Sequence, residues 1–152
     1  MKRLLIATGL ALATGPAMAQ DGGPTGDAEA GESVFRQCAT CHVVTDPEGN
    51  TLAGRNGRTG PNLYGLAGRT AGTVDGFRYS SSMTEAGDAG LEWSEENFVA
   101  YVQDPMGFLR DYLDSRSARG QMVFQLRDAQ ASADVFAYIA SLGEESGEPA
   151  AN

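Results

Sequence analysis

Side chains able to hold a metal are scarce in this chain of 152 residues. It has two cysteines, one histidine and one tryptophan, and a single lysine, Lys2, near the N-terminus. A structural zinc site takes four Cys or His ligands, which is more than the chain owns. A dithiol redox centre of the thioredoxin kind sits beside a βαβ pattern, and none is found here. With a formal net charge of −9 and positive charge that is almost all arginine, binding to nucleic acid or to anionic membranes is disfavoured. Apolar runs are short as well: the leading one, Leu4 to about Ala13, falls below the length that spans a bilayer comfortably.

What the chain does have is concentrated. Residues 38–42 read Cys38-Ala39-Thr40-Cys41-His42 and hold both cysteines and the histidine. This is the attachment pattern of a c-type haem. Two thiols at that spacing add across the two vinyl groups of one haem, and the adjoining imidazole becomes the proximal iron ligand. Thioethers at both sulfurs leave no thiol for a disulfide, and the haem takes over as staple and as part of the core.

The N-terminus points to export. Lys2 and Arg3 precede the apolar run, and Ala17-Met18-Ala19 supplies small residues for cleavage. Residues 1–19 therefore read as a secretory signal peptide, with a mature chain beginning at Gln20 in the periplasm. About 130 remaining residues make one domain. Charge along them is uneven. Residues 75–104 carry seven acids (Asp75, Glu85, Asp88, Glu92, Glu95, Glu96 and Asp104) against Arg78 alone, whereas Arg36, Arg55, Arg58 and Arg69 outnumber Asp46 and Glu48 around the haem motif. Arg110, Arg116, Arg119 and Arg127 outnumber Asp111, Asp114 and Asp128 between 110 and 128. Charge runs are commonly solvated faces; the alternative is a dipole with its positive end toward the haem segment.

Periodicity predicts three helices. The first starts at Asp27 as N-cap, places Gly31, Val34, Phe35 and Cys38 on one face and delivers the haem motif at its end. The second is capped by Ser94, opens with Glu95 and Glu96, buries Phe98, Tyr101 and Val102, and stops at Pro105. The third runs from about Asp128 to Leu142, with Ala131, Val135, Tyr138, Ile139 and Leu142 as its apolar face and Gly143 as C-cap. Glycine-rich stretches at 54–61 and 65–69 show no strand pattern. Loops of that length need something to wrap around, and a haem supplies it. The expected fold class is all-α, one domain over 27–142 with long haem-wrapping loops, between flexible segments at 20–26 and 143–152.

The other side of the iron is the open question, since no second histidine exists. Met83, Met106 and Met122 lie beyond the signal peptide, and a thioether suits low-spin haem iron. On residue type alone each methionine is more often core filling than ligand. Met122 is the best placed, in an irregular stretch after Gly120 and before the last helix.

The sequence resembles the class I cytochrome c family, specifically the bacterial cytochrome c2 subgroup with extended loops. The resemblance covers essentially the whole mature domain. It rests on Gly26-Asp27-Ala28-Glu29-Ala30-Gly31 with Phe35, the haem motif, Thr59-Gly60-Pro61-Asn62-Leu63-Tyr64-Gly65, and Gly68-Arg69-Thr70. Further along it includes Trp93, Tyr101, Asp104-Pro105, Gly120-Gln121-Met122-Val123-Phe124 and Ala137-Tyr138-Ile139, all in the family's order.

The resemblance implies one haem c bound through Cys38 and Cys41, His42 as proximal ligand and Met122 as distal ligand, with Met83 and Met106 as packing residues. It implies that the Pro61 carbonyl accepts the His42 Nδ1–H and so fixes the ring. Arg69, Tyr79 and Trp93 match positions that hold the inner haem propionates, a role that charge-assisted donors suit in a partly buried site. Tyr101 matches a position near the distal sulfur, and Phe124 one beside the exposed haem edge. Gly31, Phe35, Tyr138 and Leu142 match the crossing of first and last helices.

With both axial positions filled by side chains, substrate does not readily reach iron, so the implied activity is electron carriage without an enzyme reaction. The implied route runs from a cytochrome bc1 complex to a photosynthetic reaction centre or a terminal oxidase, through transient docking of a monomer to membrane complexes. Relatives commonly ring the haem edge with lysines; here Gln121, Gln125 and a few arginines stand there instead. The competing readings are a ligand-binding or peroxidase-type haem protein with a labile sixth ligand, and a subunit of a membrane complex held by an uncleaved leader.

Overall fold

In the computed structural model of the chain, residues 23–144 are described. The expected leader, residues 1–19, and most of the expected tail lie outside them. The elements are five α-helices, α1 (Ala28–Phe35), α2 (Ser81–Asp88), α3 (Glu95–Gln103), α4 (Pro105–Tyr112) and α5 (Ala129–Glu144), with a two-stranded hairpin, β1 (Val44–Thr45) and β2 (Thr51–Ala53). The mostly helical single domain expected from the pattern is what forms.

Each expected helix begins where the pattern predicts, at the expected caps Asp27 and Ser94 and, for the third, at Asp128, which also caps it. Asp27 Oδ1 accepts from the backbone amides of Glu29 and Ala30 at 2.9 and 3.2 Å, Ser94 Oγ accepts from Asn97 at 3.2 Å, and Asp128 Oδ1 accepts from Ala131 at 2.9 Å. These bonds satisfy amides that the first helical turn otherwise leaves orphaned. At the other end of α5 the expectation needs correcting. The helix continues to Glu144, so Gly143 lies within its last turn and does not cap it.

Helices α1 and α5 cross at close range. A Cβ on Gly31 would fall 2.0 Å from the Asp134 carbonyl oxygen and 2.9 Å from Tyr138 Cβ, so only a glycine lets the two backbones approach this closely. Beside it the Phe35 and Tyr138 rings sit 5.6 Å apart, tilted. The buried Asp134 carboxylate closes the crossing by accepting from the Asp27 amide and from Gln130 Nε2, both at 2.8 Å. The N-terminal segment is tied down just before α1, where the Thr25 amide donates to Glu95 Oε2 at 2.6 Å.

Two helices and the hairpin go beyond the pattern analysis. Pro105 does end α3, but it also occupies the first turn of α4, with Asp104 Oδ1 capping the Gly107 amide at 3.1 Å. Proline suits that position because its missing amide would have had no partner. Helix α2 reads Ser-Ser-Met-Thr-Glu-Ala-Gly-Asp and shows no strong apolar stripe, yet it buries Ser82, Met83, Ala86 and Gly87. Its Ser80 cap, accepting from the Met83 amide at 3.3 Å, was the one legible signal. The hairpin turns on Asp46, whose two carboxylate oxygens accept from the Asn50 amide and side chain at 2.7 and 2.8 Å.

Candidate haem-binding site

The haem motif leaves α1 as a single 3-10 turn, Cys38–Thr40, closed by backbone bonds from the Cys41 and His42 amides to the Cys38 carbonyl at 3.0 and 2.9 Å. That tight return places His42 beside the 57–63 loop. The Gly60 amide donates to the Cys41 carbonyl at 2.9 Å, and the Leu63 amide to the Val43 carbonyl at 2.9 Å. His42 Nδ1 lies 2.9 Å from the Pro61 carbonyl oxygen and donates to it, which leaves Nε2 for a ligand. A Cβ on Gly60 would lie 2.3–2.6 Å from Cε1, Nδ1 and Nε2 of the ring, so the bare glycine packs flat on the imidazole face. Burial lowers the His42 pKa and the Pro61 bond raises it, with burial the stronger, so the neutral, ligating form is favoured.

Asn62 braces this wall. Its Oδ1 accepts from the Thr45 and Tyr64 amides at 3.0 and 3.1 Å while its Nδ2 donates to the Thr45 carbonyl at 2.7 Å. In the sequence Asn62 is legible only as part of a motif; its bridging role depends on the hairpin.

Arg69 and Trp93 are brought together by a short antiparallel pairing, in which the Gly68 amide donates to the Trp93 carbonyl and the Trp93 amide to the Arg69 carbonyl, both at 3.0 Å. The Arg69 guanidinium donates to the Tyr64 carbonyl at 2.6 Å and to the Asn62 carbonyl at 3.2 Å. Burial depresses its pKa and Tyr79 partly restores it; among the described residues no carboxylate offsets its charge. Burial pushes the Tyr79 phenol up, while Arg69 and a backbone bond with Val74 pull it back. Tyr101 meets Trp93 edge-on at 5.1 Å between ring centroids.

All nine residues singled out from the sequence line one cavity of about 570 Å3: Cys38, Cys41, His42, Pro61, Arg69, Tyr79, Trp93, Tyr101 and Met122. Leu63, Leu66, Phe77, Met83, Phe98, Val102 and Ile139 supply apolar wall that the sequence analysis did not assign to the site. Met83 is therefore both buried core and cavity lining. Met106 is not in the lining, and its Sδ accepts from the Gly120 amide at 3.3 Å.

The cavity suits a haem on chemical grounds. It is a largely apolar slot with an imidazole, a thioether and two cysteine sulfurs among its lining residues, and a half-buried arginine that has no anionic partner among the described residues. Burial, then the neighbouring Cys41, push the Cys38 thiol up to about 11, so it is held as a thiol and is a poor thiolate ligand for a metal. A sulfur in that setting fits a neutral thioether.

Comparison with known proteins agrees. Cytochrome c2 of Rhodovulum adriaticum is 59% identical over 119 residues, which cover 78% of this chain and 94% of the relative. Cytochrome c2 of Cereibacter sphaeroides is 51% identical over 130 residues, covering 85% and 87%. The chain belongs to the cytochrome c2 family. The crystal structure of cytochrome c2 from Rhodobacter sphaeroides superposes with a TM-score of 0.75 at 51% identity, covering 76% of this chain and 95% of that one. No family model matches the chain. As a member of the cytochrome c2 family the protein binds one covalent haem c and carries electrons, and it is not an enzyme.

Proposed function

We propose that the protein is a periplasmic shuttle that takes electrons from a cytochrome bc1 complex and delivers them to a photosynthetic reaction centre or a terminal oxidase. When bound, the haem supplies a one-electron Fe(III)/Fe(II) couple. The chain's part is to hold that couple still and dry. Cys38 and Cys41 would anchor the haem as thioethers, His42 would ligate its iron through Nε2 with the ring oriented by Pro61, and Met122 would supply a second iron ligand through its thioether. His/Met ligation raises the potential relative to bis-His ligation, and neither ligand need leave between oxidation states. Arg69, with Tyr79 and Trp93, would hold the haem propionates, and Tyr101 stands beside the Met122 loop, its hydroxyl 4.0 Å from a Cβ built on Gly120.

The observation that carries this reading is the meeting of His42 and Met122, 80 positions apart, in the lining of one cavity. The deciding experiment is the optical spectrum of ferric holoprotein, native and Met122→Ala. A weak near-infrared sulfur-to-iron band present in the native protein and lost in the variant is the expected result. No band in the native protein would favour a ligand-binding protein with an open sixth position. Intact mass checks export: a chain starting at Gln20 plus one haem is expected, and a retained leader would point to a membrane-held subunit.

The partner-facing surface follows from the same segment. Val123 is 85% exposed and Phe124 37%, and both line the cavity mouth. Docking there combines an apolar patch with nearby arginines such as Arg119 and Arg127, in place of a lysine ring.

A further inference from the structure

The Met122 segment is held by few bonds, and two of them are unusual. The Leu126 amide donates to the Val102 carbonyl of α3 at 2.8 Å, an ordinary backbone tie at the far end. At the near end two successive amides go to side chains of two other helices. The Arg119 amide donates to Ser82 Oγ of α2 at 3.0 Å, and the Gly120 amide donates to Met106 Sδ of α4 at 3.3 Å. Ser82 is only 6% exposed, although it is polar and lies next to the cavity-lining Met83. Gly120 itself is packed, since a Cβ there would lie 3.1 Å from Leu109 Cδ1. Beyond this clamp Gln121, Val123, Phe124 and Gln125 are exposed.

We propose that Ser82 and Met106 are positioning residues for the Met122 thioether, a two-point clamp that keeps the distal loop shut on the site. The inference rests on Met122 being the distal ligand. A hydroxyl and a thioether accept these amides, and without them the amides lose their protein partners in a part-buried setting, which favours a loop that swings out to water. An external ligand must wait for that opening, so its apparent affinity scales with the open fraction. Removing one clamp bond raises the open fraction by about fivefold, the effect of one net hydrogen bond.

The test titrates ferric holoprotein with imidazole, following displacement of the near-infrared band, in the native protein and in Ser82→Ala, Met106→Leu and Met106→Gln. The band should persist in all four before imidazole is added. Affinity should rise about fivefold in Ser82→Ala and in Met106→Leu, and Met106→Gln, which restores an acceptor, should lie nearer the native value. In the native holoprotein the Arg119 and Gly120 amides should exchange with solvent more slowly than those of Gln121 and Val123, a readout that needs no variant to fold. A band present with unchanged imidazole affinity, or Arg119 and Gly120 amides that exchange as fast as their neighbours, overturns the clamp alone. A native protein without the band overturns the Met122 reading and the clamp with it.

Discussion

The two walls of the cavity are built on different plans. The wall behind His42 is local and braced by backbone: the cysteines and histidine sit within five residues, the 3-10 turn closes on Cys38, and Pro61 and Gly60 pin the ring from a loop bonded to the same turn. The Met122 wall is a stretch of irregular chain between α4 and α5, tied mostly through side chains, with Val123 almost fully in water. Ser82 and Met106 accept its amides, Gln125 donates to Asp104 and Ser132 to the Leu126 carbonyl, beside one backbone bond to Val102. One ligand is built into a rigid frame and the other is presented on a loop. A carrier needs both ligands fixed between oxidation states, and the loop wall offers a partner an exposed apolar side chain, Val123. The division therefore puts rigidity where the haem is attached and compliance where partners meet it.

Overfilling the rigid wall should give the largest effect. In Gly60→Ala the new methyl would meet the imidazole at 2.3 Å, so either the ring must leave its Pro61 bond or the loop must shift. We expect a loss of about 3 kcal/mol or more and a collapse in haem attached per protein, read from the haem absorbance against protein mass. Gly31→Ala sharpens the comparison. Its methyl would strike the Asp134 carbonyl at 2.0 Å and should cost about 3 kcal/mol in urea unfolding, yet whatever holoprotein folds should keep a native His42 environment. A Gly60→Ala protein with full haem content would break the claim that the His42 wall is the rigid one.

Removing the distal side chain should do less to the fold and more to the chemistry. Met122 is half-buried on a loop, so Met122→Ala should cost about 1–2 kcal/mol, below the range for a fully buried methionine. Covalent haem should remain and the reduction potential should fall, as loss of the thioether removes what raises it. Voltammetry on native and variant protein checks both direction and retention of haem.

The difference between the walls also decides what was legible in the sequence. Asp27 and Ser94 announce their helices because capping is local chemistry, α5 is announced by its apolar face, and the haem motif announces the rigid wall because Cys38, Cys41 and His42 are neighbours. Pairing His42 with Met122 was left open by residue type alone, since a lone methionine gives no local signal; resemblance to a family singled it out. Helix α2 escaped notice because its burial comes from contacts with α4 and the 118–120 segment, not from its own apolar stripe. Ser82 and Met106 escaped for the same reason: an acceptor matters only once the fold brings an amide to it. Asp104-Pro105 reads as a stop and is equally a start, a double use that the dipeptide alone does not reveal.

Alkaline pH probes the interior between the walls. Burial first, and Tyr79 second, raise the Tyr101 phenol well above its ordinary value of 10.0. A group raised in the folded state contributes stability that is fully present below its unfolded value and is lost as pH rises through the folded one. The native protein should therefore lose urea resistance progressively above about pH 10, and Tyr101→Phe, which removes the titrating group, should lose less over the same range. Near neutrality the two should differ by about 1 kcal/mol or less. Parallel declines of both proteins would mean that ionisation elsewhere, Tyr79 included, governs the alkaline limb.

The smallest effect on the fold should come from the most exposed point of the loop wall. Val123 is 85% exposed, so Val123→Ser removes little buried area and should shift unfolding by no more than about 0.5 kcal/mol. Because the side chain borders the cavity mouth, the same change should slow electron exchange with membrane-bound redox partners, and should do so at high as well as low salt, since the lost contact is apolar. Slowing that disappears as salt rises would assign the docking to the arginines instead. An unchanged rate would mean that partners approach elsewhere, and the compliance of this wall would then need a different reason.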